Sequence, residues 1–383
     1  MNKQIECISN PFIDKNKHTN QKNDQAYKFH KSLPGYKSTP LVNLKNYSSQ
    51  IGIKNCLIKD ESKRLGLNAF KVLGASYAMA HEIKEILGLE ENELSYDSIR
   101  EKSAAIKDLT FVTATDGNHG RAVAWCAEKF GCKAVVFMPK GTSEFRLRAI
   151  QQHHAHVEIT DVNYDDTVKY AESESKKNQW ILLQDSSWPG YENVAKHIMS
   201  GYTTMVHEFI EQTSEWPTHV IAQAGVGSFA ASIFSCFLNN NIKQPKLILL
   251  EPSGAACFYN SLNVGDGNPH LTKHLDTIMA GLSCGMPSLL AWNIICSSAD
   301  FFTICNDSIA IKGMQILAKP YDNDMPIVSG ESGAVPLGLL NEICTNQDYI
   351  NLREELCLDS DSTVLFFSTE GDTDPDLYQR VVS

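Results

Sequence analysis

The stretch HVIAQAGVGSFAASIFSCF, residues 219–237, decides the fold. An apolar run of β type at 219–224 ends at two glycines, Gly225 and Gly227, and a helical pattern starts at once with FAASIFSCF. Strand, tight turn and helix make half of a βαβ unit, and the alternation recurs in both directions along the chain. Strand-type runs stand at 111–114 (FVTA), 134–138 (AVVFM), 156–160 (HVEIT), 180–184 (WILLQ), 246–251 (KLILLE) and 363–368 (TVLFFS). Amphipathic segments lie between them, such as HGRAVAWCAEKFG at 119–131, with Ala122, Val123, Cys126, Ala127 and Phe130 on one face and Gly131 as the stop. The expected fold class is α/β, in two domains, with mostly parallel twisted sheets covered by helices on both faces. ENVAKHIMSGYTTMVHEFIEQ at 192–212 reads as one long helix with Gly201 inside it, joining the two domains. The expected division is a large domain of 1–106 plus 196–383 and a small inserted domain of 107–195.

Composition narrows the function. The chain has 383 residues, 43% of them hydrophobic, enough to bury a large core. Its 34 Lys+Arg against 45 Asp+Glu give a net charge of −11, which speaks against a nucleic-acid-binding surface. Residues 1–50 carry eight Lys and three acids, and residues 351–383 two Arg and eight acids, read as two solvated ends. The N-terminal MNKQIECISNPFIDKNKHTN has no signal-like apolar stretch, and no run reaches the ~20 apolar residues of a membrane span. A cytoplasmic protein without membrane or nucleic-acid partners is expected. The eleven Cys occur singly, which suggests neither a zinc ribbon nor a disulfide framework. His153, His154 and His156 lack acid or Cys ligands at matched spacing and read as a surface turn, so no metal is expected.

In open parallel sheets ligands bind beyond the carboxyl ends of strands. Four such places carry unusual residues: TDGNHG (115–120), QDSSW (184–188), AGVGS (224–228) and STEGDTD (368–374). In AGVGS the glycines let the backbone approach an anion at a helix N-terminus, so Gly225, Val226, Gly227 and Ser228 form a phosphate cradle; the plain alternative is a strand-to-helix turn. A dinucleotide site is a specific rival: Gly225-x-Gly227-x-x-Ala230 fits that fingerprint, and Glu251 stands about 20 residues on, where a ribose-binding acid belongs. Its late position in the chain argues against it. In TDGNHG, Thr115, Asp116, Gly117 and His119 surround a helix start whose amides suit a carboxylate, and Asn118 can hydrogen-bond a ring oxygen; an Asp or Asn N-cap explains only one of them. Lys71 lies among Phe70, Leu73 and Gly74, an apolar setting that favours Schiff-base chemistry, although a lone Lys more often lies along a surface.

A phosphate cradle, a ring-oxygen partner and an apolar Lys match pyridoxal phosphate, which bears a phosphate, a phenolic oxygen and an aldehyde. The sequence resembles the fold-type-II pyridoxal-phosphate enzymes, the tryptophan synthase β and serine dehydratase group, and within it most closely the diaminopropionate ammonia-lyases. The resemblance runs through KDESKRLGLNAFKVLGA (59–75), ATDGNHGRAVAW (114–125), QDSSWPGY (184–191), AQAGVGS (222–228), MAGLSCGMPS (279–288), SGESGAVPLG (329–338) and STEGDTDP (368–375). It implies that Lys71 holds the cofactor covalently, that Asn118 contacts its ring oxygen, and that the backbone of Gly225, Val226, Gly227 and Ser228 holds its phosphate. Ser368 matches the position facing the pyridine nitrogen, with Thr369 as the fallback. A homodimer is implied as well, with the cofactor between the two domains.

The informative departure is Asp116, where the common dehydratase pattern has Ser. A carboxylate across the cofactor from Lys71 could accept a Cα proton or hold a second substrate ammonium, and Asp185 gives a second negative charge, although alone it reads as an ordinary strand-end acid. The expected reaction is α,β-elimination of 2,3-diaminopropionate to pyruvate and ammonia, with Lys71 the base for one enantiomer and Asp116 for the other. Serine or threonine dehydratase, NAD-dependent dehydrogenase and non-catalytic ligand sensor are the rivals. Glu331 and Ser332 match a block near the cofactor ring, yet Ser332 is equally well a helix N-cap. Cys257 and Cys284 fall in blocks near the cleft rim, where free thiols are the default and a disulfide is the alternative.

Overall fold

All seven apolar runs expected as strands form strands, and four more join them. In chain order they are β1 (Ile5–Ser9), β2 (Leu41–Asn43), β3 (Asn55–Asp60), β4 (Thr110–Ala114), β5 (Lys133–Met138), β6 (His156–Ile159), β7 (Ile181–Leu182), β8 (His219–Gln223), β9 (Lys246–Pro252), β10 (Phe301–Cys305) and β11 (Thr363–Ser368). The computed structural model describes residues 4–15, 24–115, 117–238, 243–273 and 275–383. Its contacts divide the chain into two compact units: Met1–Lys22, Thr39–Lys63 and Met205–Ser383 form one, Asn23–Ser38 and Arg64–Thr204 the other.

The first unit holds a seven-stranded sheet in the order β1-β10-β9-β8-β11-β3-β2. Its interior pairs are parallel, and only the edge strands β1 and β2 run antiparallel. Ile221, Ile248, Leu250, Val364 and Phe366 share one buried cluster with Ala334, Leu337 and Leu340 of helix Glu331–Thr345. This is the burial that unbroken apolar strands predict. β3 escapes an apolar scan because it carries Lys59 and Asp60. Both are buried, and the Lys59 amine lies 2.6 Å from the Glu208 carboxylate with neither side chain exposed.

The second unit holds an all-parallel four-stranded sheet, β6-β5-β4-β7, around Val112, Ala114, Val135 and Phe137. Helix Asn118–Phe130 ends at Gly131 in the left-handed region (φ 90°), as the sequence predicts, and buries Ala122, Val123, Cys126, Ala127 and Phe130. Helices Val72–Leu87 and Asn193–Tyr202 pack so closely that a Cβ on Gly201 would stand 2.3 Å from the Leu73 carbonyl oxygen. That contact draws the helix after Lys71 into this unit, whose bounds therefore differ from the expected 107 and 195.

The single long helix expected at 192–212 is instead two, Asn193–Tyr202 and Thr204–Gln212. The Thr203 hydroxyl and N–H both donate to the Ser200 carbonyl (2.6 and 3.2 Å), which tightens the turn and breaks the ladder.

Candidate active site

Lys71 stands at the N-terminal boundary of helix Val72–Leu87. Its amine donates to Asp185 Oδ2 at 2.5 Å and lies 5.5 Å from the centre of the Phe70 ring. Phe70 packs in turn on Tyr202, ring centres 4.7 Å apart. The apolar surround expected of this Lys is present, and its partner is an acid 114 residues away.

Asp185 is placed by a side chain that imitates a strand. The β4–β7 ladder pairs Val112 with Leu182, and Leu183 N–H donates to the Val112 carbonyl at 2.8 Å. The Gln184 side chain then continues the ladder: its Nε2 donates to the Ala114 carbonyl (3.1 Å), and its Oε1 accepts from Ala114 N–H and the Thr113 hydroxyl (3.0 Å each). Tyr164 Oη accepts from the same Nε2 at 3.0 Å. The next residue, Asp185, is thus fixed at the carboxyl end of β4, 4% exposed. Burial alone would raise its carboxyl, but the Lys71 ammonium, His119 and the hydrogen bond from Lys71 outweigh burial and hold it down at about 2.

The TDGNHG turn sits beside this pair. Thr115 Oγ1 accepts from Gly117 N–H (2.9 Å) and Gly120 N–H (3.2 Å), so its hydroxyl satisfies two amides at the start of the helix that begins at Asn118, where Gly117 holds the N-cap position. His119 Nε2 donates to the Leu183 carbonyl at 2.8 Å, tying the turn to the strand that carries Asp185. Asn118 is half-buried at the first helical position. Asp116 lies outside the described residues.

In the other unit, the glycine loop opens helix Ser228–Leu238 at the carboxyl end of β8. A Cβ on Gly225 would stand 2.9 Å from the Gly281 carbonyl oxygen, and one on Gly227, at φ 92°, 2.3 Å from Phe258 Cζ. Only glycine fits at both, and the loop they form runs into a helix N-terminus, the kind of place whose amides suit an anion. A phosphate group fits this cradle, and a carbonyl-bearing cofactor fits Lys71. Beside the loop, β11 ends at Ser368, whose hydroxyl donates to Ser329 Oγ at 2.8 Å, and Thr369 Oγ1 accepts from Gln223 Nε2 at 3.1 Å. The same Nε2 reaches the Ser332 and Phe367 carbonyls (2.8 and 3.3 Å). Ser332 is not the helix N-cap expected: Gly330 holds that place, and Ser332 N–H donates to Glu370 Oε1 at 3.3 Å.

A family model for pyridoxal-phosphate dependent enzymes matches residues 33–354. The chain belongs to that family. Among its relatives is diaminopropionate ammonia-lyase of Salmonella typhimurium, 48% identical over 92% of this chain and 90% of the relative. The crystal structure of holo diaminopropionate ammonia lyase from Escherichia coli superposes with a TM-score of 0.92 at 41% identity, covering 99% of this chain and 96% of that one. A second structure of that enzyme, in complex with an aminoacrylate-PLP azomethine reaction intermediate, gives 0.90 at 40% identity with the same coverage. Pyridoxal phosphate is thus the cofactor of this family member, and the chain is a lyase of the fold-type-II group.

The dinucleotide reading is overturned. Glu251 is no ribose ligand, because its two oxygens accept the Phe258 and Tyr259 amides at 2.9 and 2.7 Å in a fully buried position. Cys257 and Cys284 are buried and not joined in a disulfide. Sequence reasoning missed Gln184 and Gln223. Each is a buried Gln just before a functional loop, at the end of an apolar strand, and that pattern is the signal that would have found them.

Proposed function

We propose that this enzyme eliminates ammonia from 2,3-diaminopropionate, with Lys71 carrying the cofactor and the amides of Gly225, Val226, Gly227 and Ser228 holding its phosphate. Asn118 meets the ring oxygen and Ser368 the pyridine nitrogen, with Thr369 as the alternative. Asp185 and Asp116 serve the substrate. The observation that carries this reading is the Lys71–Asp185 pair: a Schiff-base lysine 2.5 Å from a carboxylate that a hydroxy-amino-acid enzyme has no use for.

Bound pyridoxal phosphate supplies a sink for the electron pair released at Cα. The Lys71 amine would take the Cα proton of one enantiomer, and Asp116 that of the other. The amides of the turn at 115–120, shaped by the Thr115 hydroxyl and Gly117 and anchored by His119, receive the substrate carboxylate. Asp185 holds the β-ammonium. The Asp185 carboxylate, held ionised, would offer a charged partner to a β-ammonium, where serine presents only a hydroxyl. The Cα–H and Cβ–N bonds break, Cα=Cβ forms, and addition of one water to the released enamine yields pyruvate and a second ammonia. The same reading includes a homodimer in the cytoplasm; among the described residues no helix is long and apolar enough to cross a membrane.

The test is a visible spectrum with added pyridoxal phosphate, followed by pyruvate assay on D- and L-2,3-diaminopropionate beside serine. A bound-cofactor band and pyruvate mainly from the diamino acid are expected. Serine or threonine as the better substrate would sink the role of the carboxylates.

A further inference from the structure

Glu251 has no part in the reaction as described, yet it is a fully buried acid one strand away from the glycine loop. β9 pairs in parallel with β8, Gln223 facing Leu250, and Ala224 N–H donates to the Leu250 carbonyl at 2.9 Å, so Glu251 lies level with the start of the loop. Its carboxyl accepts the amides of Phe258 and Tyr259, the second and third residues of helix Cys257–Val264. The helix has no cap of its own, since Ala256 at the N-cap position offers no side-chain acceptor. Glu251 therefore caps from the neighbouring strand what the local sequence leaves open.

The two residues at the start of that helix bracket the glycine loop. The Phe258 ring occupies the space a Gly227 side chain would need, with Cζ 2.3 Å from the Cβ position, and packs on Trp292 with ring centres 5.9 Å apart. The Cys257 thiol, kept protonated by burial, donates to the Gly225 carbonyl at 3.7 Å. Rotating or fraying the helix start would release both contacts at once. Burial pushes the Glu251 carboxyl up, against the pull of the Phe258 and Tyr259 amides and of the Cys257 thiol and amide.

We infer that Glu251 is a positioning residue for the cofactor phosphate, acting through helix Cys257–Val264 to hold the Gly225–Ser228 amides in place. The inference rests on the proposed function, in which those amides hold the phosphate. Glu251→Gln isolates it, because glutamine is isosteric and uncharged but has one acceptor oxygen, and its amide nitrogen would face a backbone N–H donor with another donor.

The experiment titrates cofactor-free protein with pyridoxal phosphate, reading the visible band for Kd and the ³¹P shift of the bound phosphate. In Glu251→Gln the Kd is expected to rise on the order of ten-fold, the cost of one unsatisfied buried donor, and the ³¹P resonance to move. KM for diaminopropionate on fully loaded enzyme is expected to change less than Kd. Phe258→Leu should raise Kd in the same direction, and the double variant should bind no worse than the weaker single, since both lie on one relay. Unchanged Kd and ³¹P shift in Glu251→Gln would overturn the inference; should that variant fail to fold, the same result in Phe258→Leu would do so. A wild-type protein that binds no pyridoxal phosphate would overturn the functional reading instead.

Discussion

Replacing Asp185 by Asn tests whether the Lys71–Asp185 pair is a real source of free energy or a mere proximity. The carboxyl is held at about 2 from an ordinary 3.8 although it is almost fully buried. By linkage, a fall of that size corresponds to about 2 kcal/mol of stability in the cofactor-free protein. The folded value is depressed, so the contribution is complete above pH 3.8 and is lost as pH falls through about 2. Asp185→Asn should therefore unfold at lower urea than wild type by about 2 kcal/mol, with a gap that stays constant between pH 5 and 8. For a domain of its size this is roughly 4–8 °C in Tm. Lysine at 71 is partly exposed, its side chain keeping 20% of its surface, so water relieves part of the charge left behind and the loss should not grow far beyond this figure.

The assay is urea unfolding of the cofactor-free protein, followed by far-UV circular dichroism, for wild type, Asp185→Asn, Lys71→Met and the double variant. A coupling energy of about 2 kcal/mol in the cycle is expected. A gap below about 0.5 kcal/mol at pH 7, or one that closes between pH 5 and 8, would refute the reasoning, because either would mean that the carboxylate gains nothing from its neighbour.

Three further outcomes follow from the same geometry. Lys71→Ala should lose both the lysine-bound cofactor band and pyruvate formation, and restored turnover with added methylamine would locate the loss at the amine itself. Glu208→Ala should destabilise by about 3–5 kcal/mol in urea, since it strands the fully buried Lys59 amine, whereas Lys59→Met with Glu208→Leu should recover most of that loss; equal losses in the two would contradict it. Asp116→Asn should abolish turnover of the D-enantiomer of diaminopropionate while sparing the L form, and equal loss of both would remove Asp116 as an enantiomer-specific base.

What the sequence disclosed follows the range over which each residue acts. The interior strands β8, β9 and β11 and the stop at Gly131 are legible because burial on two faces and a left-handed cap leave local marks. β3 is not, because Lys59 is made tolerable by Glu208, a partner some 150 positions away that no window contains. The glycine loop is legible as a tight strand-to-helix turn, but the reason both glycines are obligatory, the Gly281 carbonyl and the Phe258 ring, comes from other segments. Glu251 stands at the spacing of a ribose acid from those glycines, and spacing alone does not distinguish a ribose acid from a helix cap. The break at Thr203 turns on one hydroxyl choosing the Ser200 carbonyl, a competition that hydrophobic periodicity does not record.

The division between common chemistry and specificity follows the same line. The residues proposed to meet the cofactor, Lys71, Asn118 and Gly225–Ser228, lie in short motifs, since each would act through its own backbone or a single side chain. The proposed choice of a diamino acid depends on a charge balance, and a balance needs several partners: burial would raise the Asp185 carboxyl, and Lys71 together with His119 holds it low, while Gln184 and His119 bond to the strand ends beside it. A dehydratase could keep the lysine motif and the glycine cradle unchanged. Under the proposed roles, the Asp185 carboxylate offers a β-ammonium a charged partner that a β-hydroxyl cannot match, and that difference, rather than pocket shape, is what should separate serine from diaminopropionate in a competition assay.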